Sequence, residues 1–167
     1  MVLNGLHLLL AQPIKDMIPT KESAHGVSHG LTEAGYDIRI KQEIIFLPGD
    51  RSDPEDPDVV VVDGMADYGL FTIASAVEEF QMPANLVGVV HDKSTWARLG
   101  LSVQNTVIEP GWNGFLTLEL SYRGQGELRI PAGAGIAQVL FHQLADRANY
   151  DGKYQNQPDK PVEAIHD

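Results

Sequence analysis

"HDKSTWARLGLSVQNTVIEPGWNGFLTLEL", residues 91–120, decides how the rest of this chain is read. It holds a Lys-Ser-Thr run, an arginine, a Pro-Gly-Trp turn and a glutamate set inside an apolar strand. In "FLTLEL" the alternation of an extended backbone puts Phe115, Thr117 and Glu119 on one face and Leu116, Leu118 and Leu120 on the other. A carboxylate opposite three leucines is either the wet face of an antiparallel strand or an acid in a cleft. In a cleft, loss of water raises its pKa and suits it to accept and return a proton near neutral pH. The strand alone leaves both readings open.

At the start of the same stretch, Asp92 is placed to cap a helix of one or two turns over "DKSTWARLG", which Gly100 stops. Lys93, Ser94 and Thr95 would form its first turn, bringing two hydroxyls, an ammonium and free N–H groups together. That is a seat for an anion or simply a capped surface turn. Arg98, four residues after Ser94, shares its helical face. It makes a surface ion pair or turns inward onto an anion or carboxylate.

Outward from this centre the chain reads as short strands between Gly, Pro and Asn turns. "YDIRIKQEIIFLP" (36–48) predicts a strand that becomes covered on both faces, and "DRSDPEDPD" an acidic loop. "VVVVDG", "LVGVVHD", "LSVQNTVIE", "FLTLELSY", "GELRIP" and "GIAQVLFHQL" read as strands, and "LFTIASAVEEFQMP" as a strand or mixed element. Eight or so strands predict an all-β sandwich, jelly roll or distorted barrel, with one short helix in the first twenty residues. The tail from about 146 to 167, rich in Asn, Gln, Asp and Pro, has the composition of a disordered end, yet Tyr150 and Tyr154 flanking Gly152 and Lys153 suit a lid.

Composition bounds the remaining classes. At 167 residues and 43% hydrophobic, the chain is long enough for one domain with a core, spanning 1–167. A formal charge of −11 opposes binding to nucleic acid, itself a polyanion, without excluding a small anion held by a local cluster of cations. Without any cysteine there is no disulfide, no Cys-ligated zinc and no thiol nucleophile. No run reaches the roughly 18 apolar residues of a membrane helix, and the first residues lack the pattern of an export signal; a soluble, cytoplasmic protein is expected.

The ordered set "EAGYDIRI", "KSTWARLGL", "VIEPGWNGFLTLEL", "GIAQVLF" and "GKYQNQ" resembles the dCTP deaminase and dUTPase family from about Gly26 to Gln157. The second piece is similar to the family's R-S-S-x-A-R-x-G-L and the third to its I-D-P-G-W-x-G-x-x-x-L-E. "GKYQNQ" resembles the deaminase tail rather than the Gly-rich tail of ordinary dUTPases. The resemblance implies a distorted jelly-roll β-barrel with one or two short helices, assembled as a homotrimer with sites between subunits.

It also implies zinc-independent hydrolysis of dCTP to dUTP and ammonia, with Glu119 activating water at C4 of cytosine and returning the proton to the leaving amine. The absence of cysteine agrees, since zinc nucleoside deaminases use a His/Cys/Cys or Cys₃ site. By the same resemblance Ser94 and Arg98 lie beside the attacking water, and Lys93 and Thr95 meet the phosphates. Glu109 takes the place of the sugar-contacting acid with Trp112 packed nearby, and Gln138 lies near the nucleotide or in the neighbouring wall. Lys153, Tyr154 and Gln157 belong to a lid over the triphosphate, whose Mg²⁺ bridges the phosphates with no metal ligand from the protein.

This sequence departs from the pattern at three places: Lys93 stands where Arg is common, Glu109 where Asp is usual, and the link from Leu101 to Pro110 is shorter than in well-known deaminases. Lysine replaces a bidentate fork with a point charge. The short link is the length of a dUTPase's. Three functions stay open: a dCTP deaminase, also able to continue to dUMP; a dUTP diphosphatase with Glu109 activating water; and a non-catalytic nucleotide-sensing module. Glu119 and "GKYQNQ" together favour the first.

Two other motifs read as structural. His25 and His29 in "HGVSHG" are expected to be loop histidines rather than a metal pair, because two glycines disfavour a helix there. "GAGIAQ" holds only a fragment of a dinucleotide fingerprint and leads into a strand, so it reads as a turn.

Overall fold

The computed structural model describes residues 1–104 and 106–166. In chain order the first part gives β1 (Val2–Leu3), α1 (Gly5–Ala11), β2 (Lys21–Ala24), β3 (Val27–Leu31) and β4 (Tyr36–Arg39). Then come β5 (Ile44–Leu47), β6 (Val59–Val62), β7 (Met65–Tyr68) and the long β8 (Phe71–Gln81). The central stretch forms β9 (Leu86–Asp92), α2 (Ser94–Ala97), β10 (Leu101–Val103), β11 (Val107–Ile108) and β12 (Asn113–Tyr122), followed by β13 (Leu128–Ile130) and β14 (Gly135–Gln143).

These strands make a distorted jelly-roll barrel of three antiparallel sheets. The largest runs β11-β9-β14-β4-β3-β2 with β1 also on β14, the second β10-β12-β8, and the third β13-β5-β6-β7. One apolar core unites them: Ile38 of β4, Ile44 of β5, Leu118 and Leu120 of β12 and Phe141 of β14 are all buried. Phe46 stacks on Tyr122 and Phe80 tilts against Trp112, which ties the ends of β12 to β5 and β8. Leu118 and Leu120 of "FLTLEL" therefore lie on the inner face that alternation predicts, while Leu116, also buried, sits at the register shift opposite β8.

The local chemistry explains several departures from the strand reading. Residues 36–48 are two strands in different sheets, because the chain crosses over at Lys41, whose N–H donates to Ser75 O, while Gln42 Oε1 accepts the Ser75 N–H. "LSVQNTVIE" likewise divides into β10 and β11 in different sheets, and Asn105 lies outside the described residues. "HGVSHG" is not a loop: His25 and Gly26, with φ of 54° and 76°, turn a hairpin, and His29 is buried in β3 with Nε2 3.5 Å from Glu22. "LFTIASAVEEFQMP" resolves as the strand β8, with a register shift opposite Phe115–Thr117.

Among the described residues no helix is long and apolar enough to cross a membrane.

Candidate active site

The site grows from the outward face of β12. Thr117 pairs with Ser75 and Glu119 with Ile73 across the ladder to β8. Beside them opens a cavity of about 510 Å³, floored by Glu119 and Thr117, with Phe71 and Ile73 on one side and Thr106–Glu109 and Trp112 on another. Leu116 also lines it, next to Thr117, where the register shift breaks the strict alternation.

Glu119 is half-buried among these apolar walls, and its Oε2 is buried with no hydrogen-bond partner among the described residues. Loss of water pushes its carboxyl above the ordinary glutamate value, opposed only by its own backbone N–H. A carboxylate so placed is a strong candidate to take a proton from a bound water. Glu109 and Glu163 add two exposed carboxylates to the rim, and no lysine or arginine lines the cavity among the described residues.

The tail closes the remaining wall. Tyr150 N–H donates to Pro110 O at 2.7 Å, Trp112 Nε1 to Tyr154 O at 2.6 Å, and Asn113 N–H to Gln155 Oε1 at 2.8 Å. Gln157 pairs with Gly114 as one parallel bridge, and its Oε1 accepts from Thr117 Oγ1 at 3.0 Å. Thr117 Oγ1 in turn accepts the Val162 N–H at 3.1 Å. Gly114, at φ of 127°, leaves this approach open; a Cβ would sit 2.5 Å from Gln157 N. The polar composition that reads as disorder is thus used in hydrogen bonds to the β12 region, with Tyr150 packed against the core.

Seven of the residues singled out in the sequence, Glu109, Trp112, Thr117, Glu119, Tyr150, Tyr154 and Gln157, meet at this cavity. Lys153 sits beside it with Nζ 5.8 Å from the Tyr154 ring centre. The α2 group does not reach it. Ser94, Thr95 and Arg98 are exposed on α2, and none of them lines the cavity. The helix start also differs from expectation: Lys93 is the N-cap, while Asp92 Oδ1 accepts the Val103 N–H at 2.7 Å. Lys93 turns inward, its ammonium ion-paired with Asp37 and 2.9 Å from Ser28 Oγ. Gln138, opposite Asp37 and His91 in the large sheet, donates to Thr32 Oγ1 at 3.1 Å.

Sequence reasoning missed the apolar walls Phe71, Ile73 and Val107, because the helix-or-strand ambiguity of β8 hid which residues share a face. It also missed two buried acids. Asp37 is the partner of Lys93, and Glu78 accepts from Arg39 Nε and Arg39 N–H at 2.9 and 2.8 Å. Burial raises the Glu78 pKa against the pull of Arg39. Among the described residues no group of three or more His, Asp or Glu is gathered to hold a metal.

The β-barrel is the architecture that known structures share with this chain. The dUTPase of EIAV superposes with a TM-score of 0.51 at 19% identity, covering 80% of this chain and 97% of that one. A Staphylococcus bacteriophage 80alpha dUTPase variant with dUpNHpp gives 0.51 at 15% identity, covering 92% and 95%. The phage phi11 dUTPase, at 0.50, 15% identity and coverage of 80% and 89%, coordinates a structural Mg(II) ion. These define the class as the dUTPase-like fold.

The dCTP deaminase-like family model matches residues 8–144, and the chain belongs to that family. It is 36% identical to the dCTP deaminase of Campylobacter jejuni (strain RM1221) over 145 residues, 78% of each chain. With the dCTP deaminase of Herpetosiphon aurantiacus it shares 41% over 145 residues, 78% of this chain and 79% of the other.

Proposed function

We propose that the protein deaminates dCTP hydrolytically to dUTP and ammonia. The observation that carries this is Glu119, a desolvated carboxylate with an unpartnered oxygen at the floor of a cavity large enough for a nucleoside. Glu119 takes a proton from water as the water oxygen bonds to C4 of cytosine. As the C4–N3 double bond opens, Glu119 delivers that proton to N3; the hydroxyl proton of the tetrahedral centre then passes by way of Glu119 to the amino nitrogen, the C4–N bond breaks, and ammonia leaves the C4 carbonyl. Trp112 and the flanking apolar walls exclude bulk water, and Tyr154, Gln157 and Lys153 act as a lid within the tail from about 146 to 167.

The site is shared between subunits of a homotrimer. Among the described residues the cavity lining of one protomer presents three carboxylates and no lysine or arginine, which would repel a triphosphate. Ser94, Thr95 and Arg98 stand exposed on α2 and would complete it from a second copy, Arg98 and Ser94 at the water and Thr95 at the phosphates. Mg²⁺ suits this chemistry as a hard cation bridging phosphate oxygens. In this reading it arrives with the nucleotide rather than on ligands of the protein. The enzyme would draw on the cytoplasmic nucleotide pool.

A dUTP diphosphatase activity, alone or following deamination, is the second reading, favoured by Glu109 on the same cavity wall. Incubating the purified protein with each pyrimidine nucleotide and Mg²⁺, then separating products, tests both. Ammonia and dUTP from dCTP support deamination, and dUMP with pyrophosphate the bifunctional form. Pyrophosphate from dUTP without ammonia from any cytosine nucleotide replaces deamination with the diphosphatase, and binding without turnover leaves a sensing module.

A further inference from the structure

The segment that carries Ser94 and Arg98 has little holding power of its own. α2 is only four residues long, and its N-cap Lys93 makes no side-chain capping bond. What fixes it is a latch to the large sheet. Lys93 Nζ is ion-paired with Asp37 on β4 and donates to Ser28 Oγ on β3 at 2.9 Å, while that hydroxyl donates to Asp37 Oδ2 at 2.9 Å. The Asp37 side chain is 3% exposed and that of Lys93 10%. One turn further, Trp96 Nε1 donates to Gly135 O at 2.6 Å. Gly135 is the one residue type that fits there, since a Cβ would lie 2.0 Å from Ser28 O and 3.5 Å from Lys93 Cε.

Asp37 is an expensive way to stabilise a fold. Its Oδ1 is buried with no hydrogen-bond partner among the described residues, and a buried ion pair is commonly no better for stability than apolar packing. What a buried pair does supply is a single geometry for the chain that bears it.

We infer that Asp37 is a positioning residue of the active site: through Lys93 and Ser28 it fixes the register and tilt of α2, and so where Ser94 and Arg98 are presented to the neighbouring subunit's cavity. Lys93 is then a latch rather than a phosphate ligand. The inference rests on the proposed deaminase reading for its kinetic consequence but not for its structural one.

The test compares the full-length protein with Asp37→Asn and with Val60→Ala, a core substitution in β6 that lowers stability without touching α2. For Asp37→Asn the expected result is a loss of about 10- to 100-fold in kcat at nearly constant KM, because misplacement by about 1 Å is enough to cost that much. Hydrogen–deuterium exchange of residues 93–100 should speed up in Asp37→Asn and stay at the wild-type rate in Val60→Ala, although both melt at lower temperature. Unchanged exchange over 93–100 in Asp37→Asn overturns the inference, as does an equal kcat loss in Val60→Ala. If the wild type releases no ammonia, the deaminase reading falls while the exchange comparison still decides the latch.

Discussion

Glu119 has two consequences that can be measured separately. Glu119→Gln keeps the shape and hydrogen-bonding capacity but cannot accept a proton, so turnover should fall about 10²-fold or more while nucleotide binding persists. Unchanged ammonia release would remove Glu119 from the mechanism. Because burial raises its pKa in the folded protein, the protonated form is the one favoured by folding. Its contribution to stability is fully present below the unfolded glutamate pKa and is lost as pH rises through the higher folded value. Glu119→Gln should therefore melt higher than the wild type above that folded value and no higher in acid. The acid limb of kcat should likewise fall at a pH above the ordinary glutamate value; a limb at or below it would mean that the base lies elsewhere.

At the scale of elements, the tail and β12 act together. Thr117 Oγ1 both donates to Gln157 and accepts from the Val162 N–H, so one hydroxyl holds two points of the tail. Thr117→Val preserves volume and removes both bonds. At about 1 kcal/mol each, their loss should raise KM by about thirtyfold and expose residues after Tyr150 to protease, with little change in the melting of the barrel. A tail that stays protease-resistant in this variant would show that other contacts hold it. Legibility divides here as well. Alternation in "FLTLEL" identified the face of β12 that bears Thr117 and Glu119. The tail's composition hid its order, because it is held by polar side chains and backbone groups such as Gln155 to Gly111 O and Tyr150 O, not by an apolar period.

For the whole molecule, the separation of Glu119 from Arg98 in one chain makes assembly the test of the proposed shared site. Light scattering should report a trimer, and a monomer of 18.3 kDa with full activity would sink the shared site. A sharper measurement mixes two inactive variants, Glu119→Gln and Arg98→Ala. If each site takes one residue from either side of an interface, random reassembly of equal amounts restores about a quarter of the wild-type rate. Sites within one chain would restore nothing. A zinc-selective chelator should leave turnover unchanged, whereas withdrawing Mg²⁺ should raise KM for the triphosphate.

The sequence by itself determined the all-β architecture, the inner leucine face of β12 and the family, because these follow from short-range alternation, turn residues and ordered motifs within continuous stretches. It also brought Glu119, Glu109, Trp112 and the "GKYQNQ" tail into consideration one by one. Only the tertiary structure decided that these four gather at one cavity while α2 stands apart, that "YDIRIKQEIIFLP" divides between two sheets, and that Lys93 faces a buried Asp37. Each of those facts depends on which residues, distant in the chain, are neighbours across a sheet. Asp37 and Lys93 are 56 positions apart. No local period encodes that distance, and the burial that turns their charges into a latch exists only once β3, β4 and β14 have closed around them.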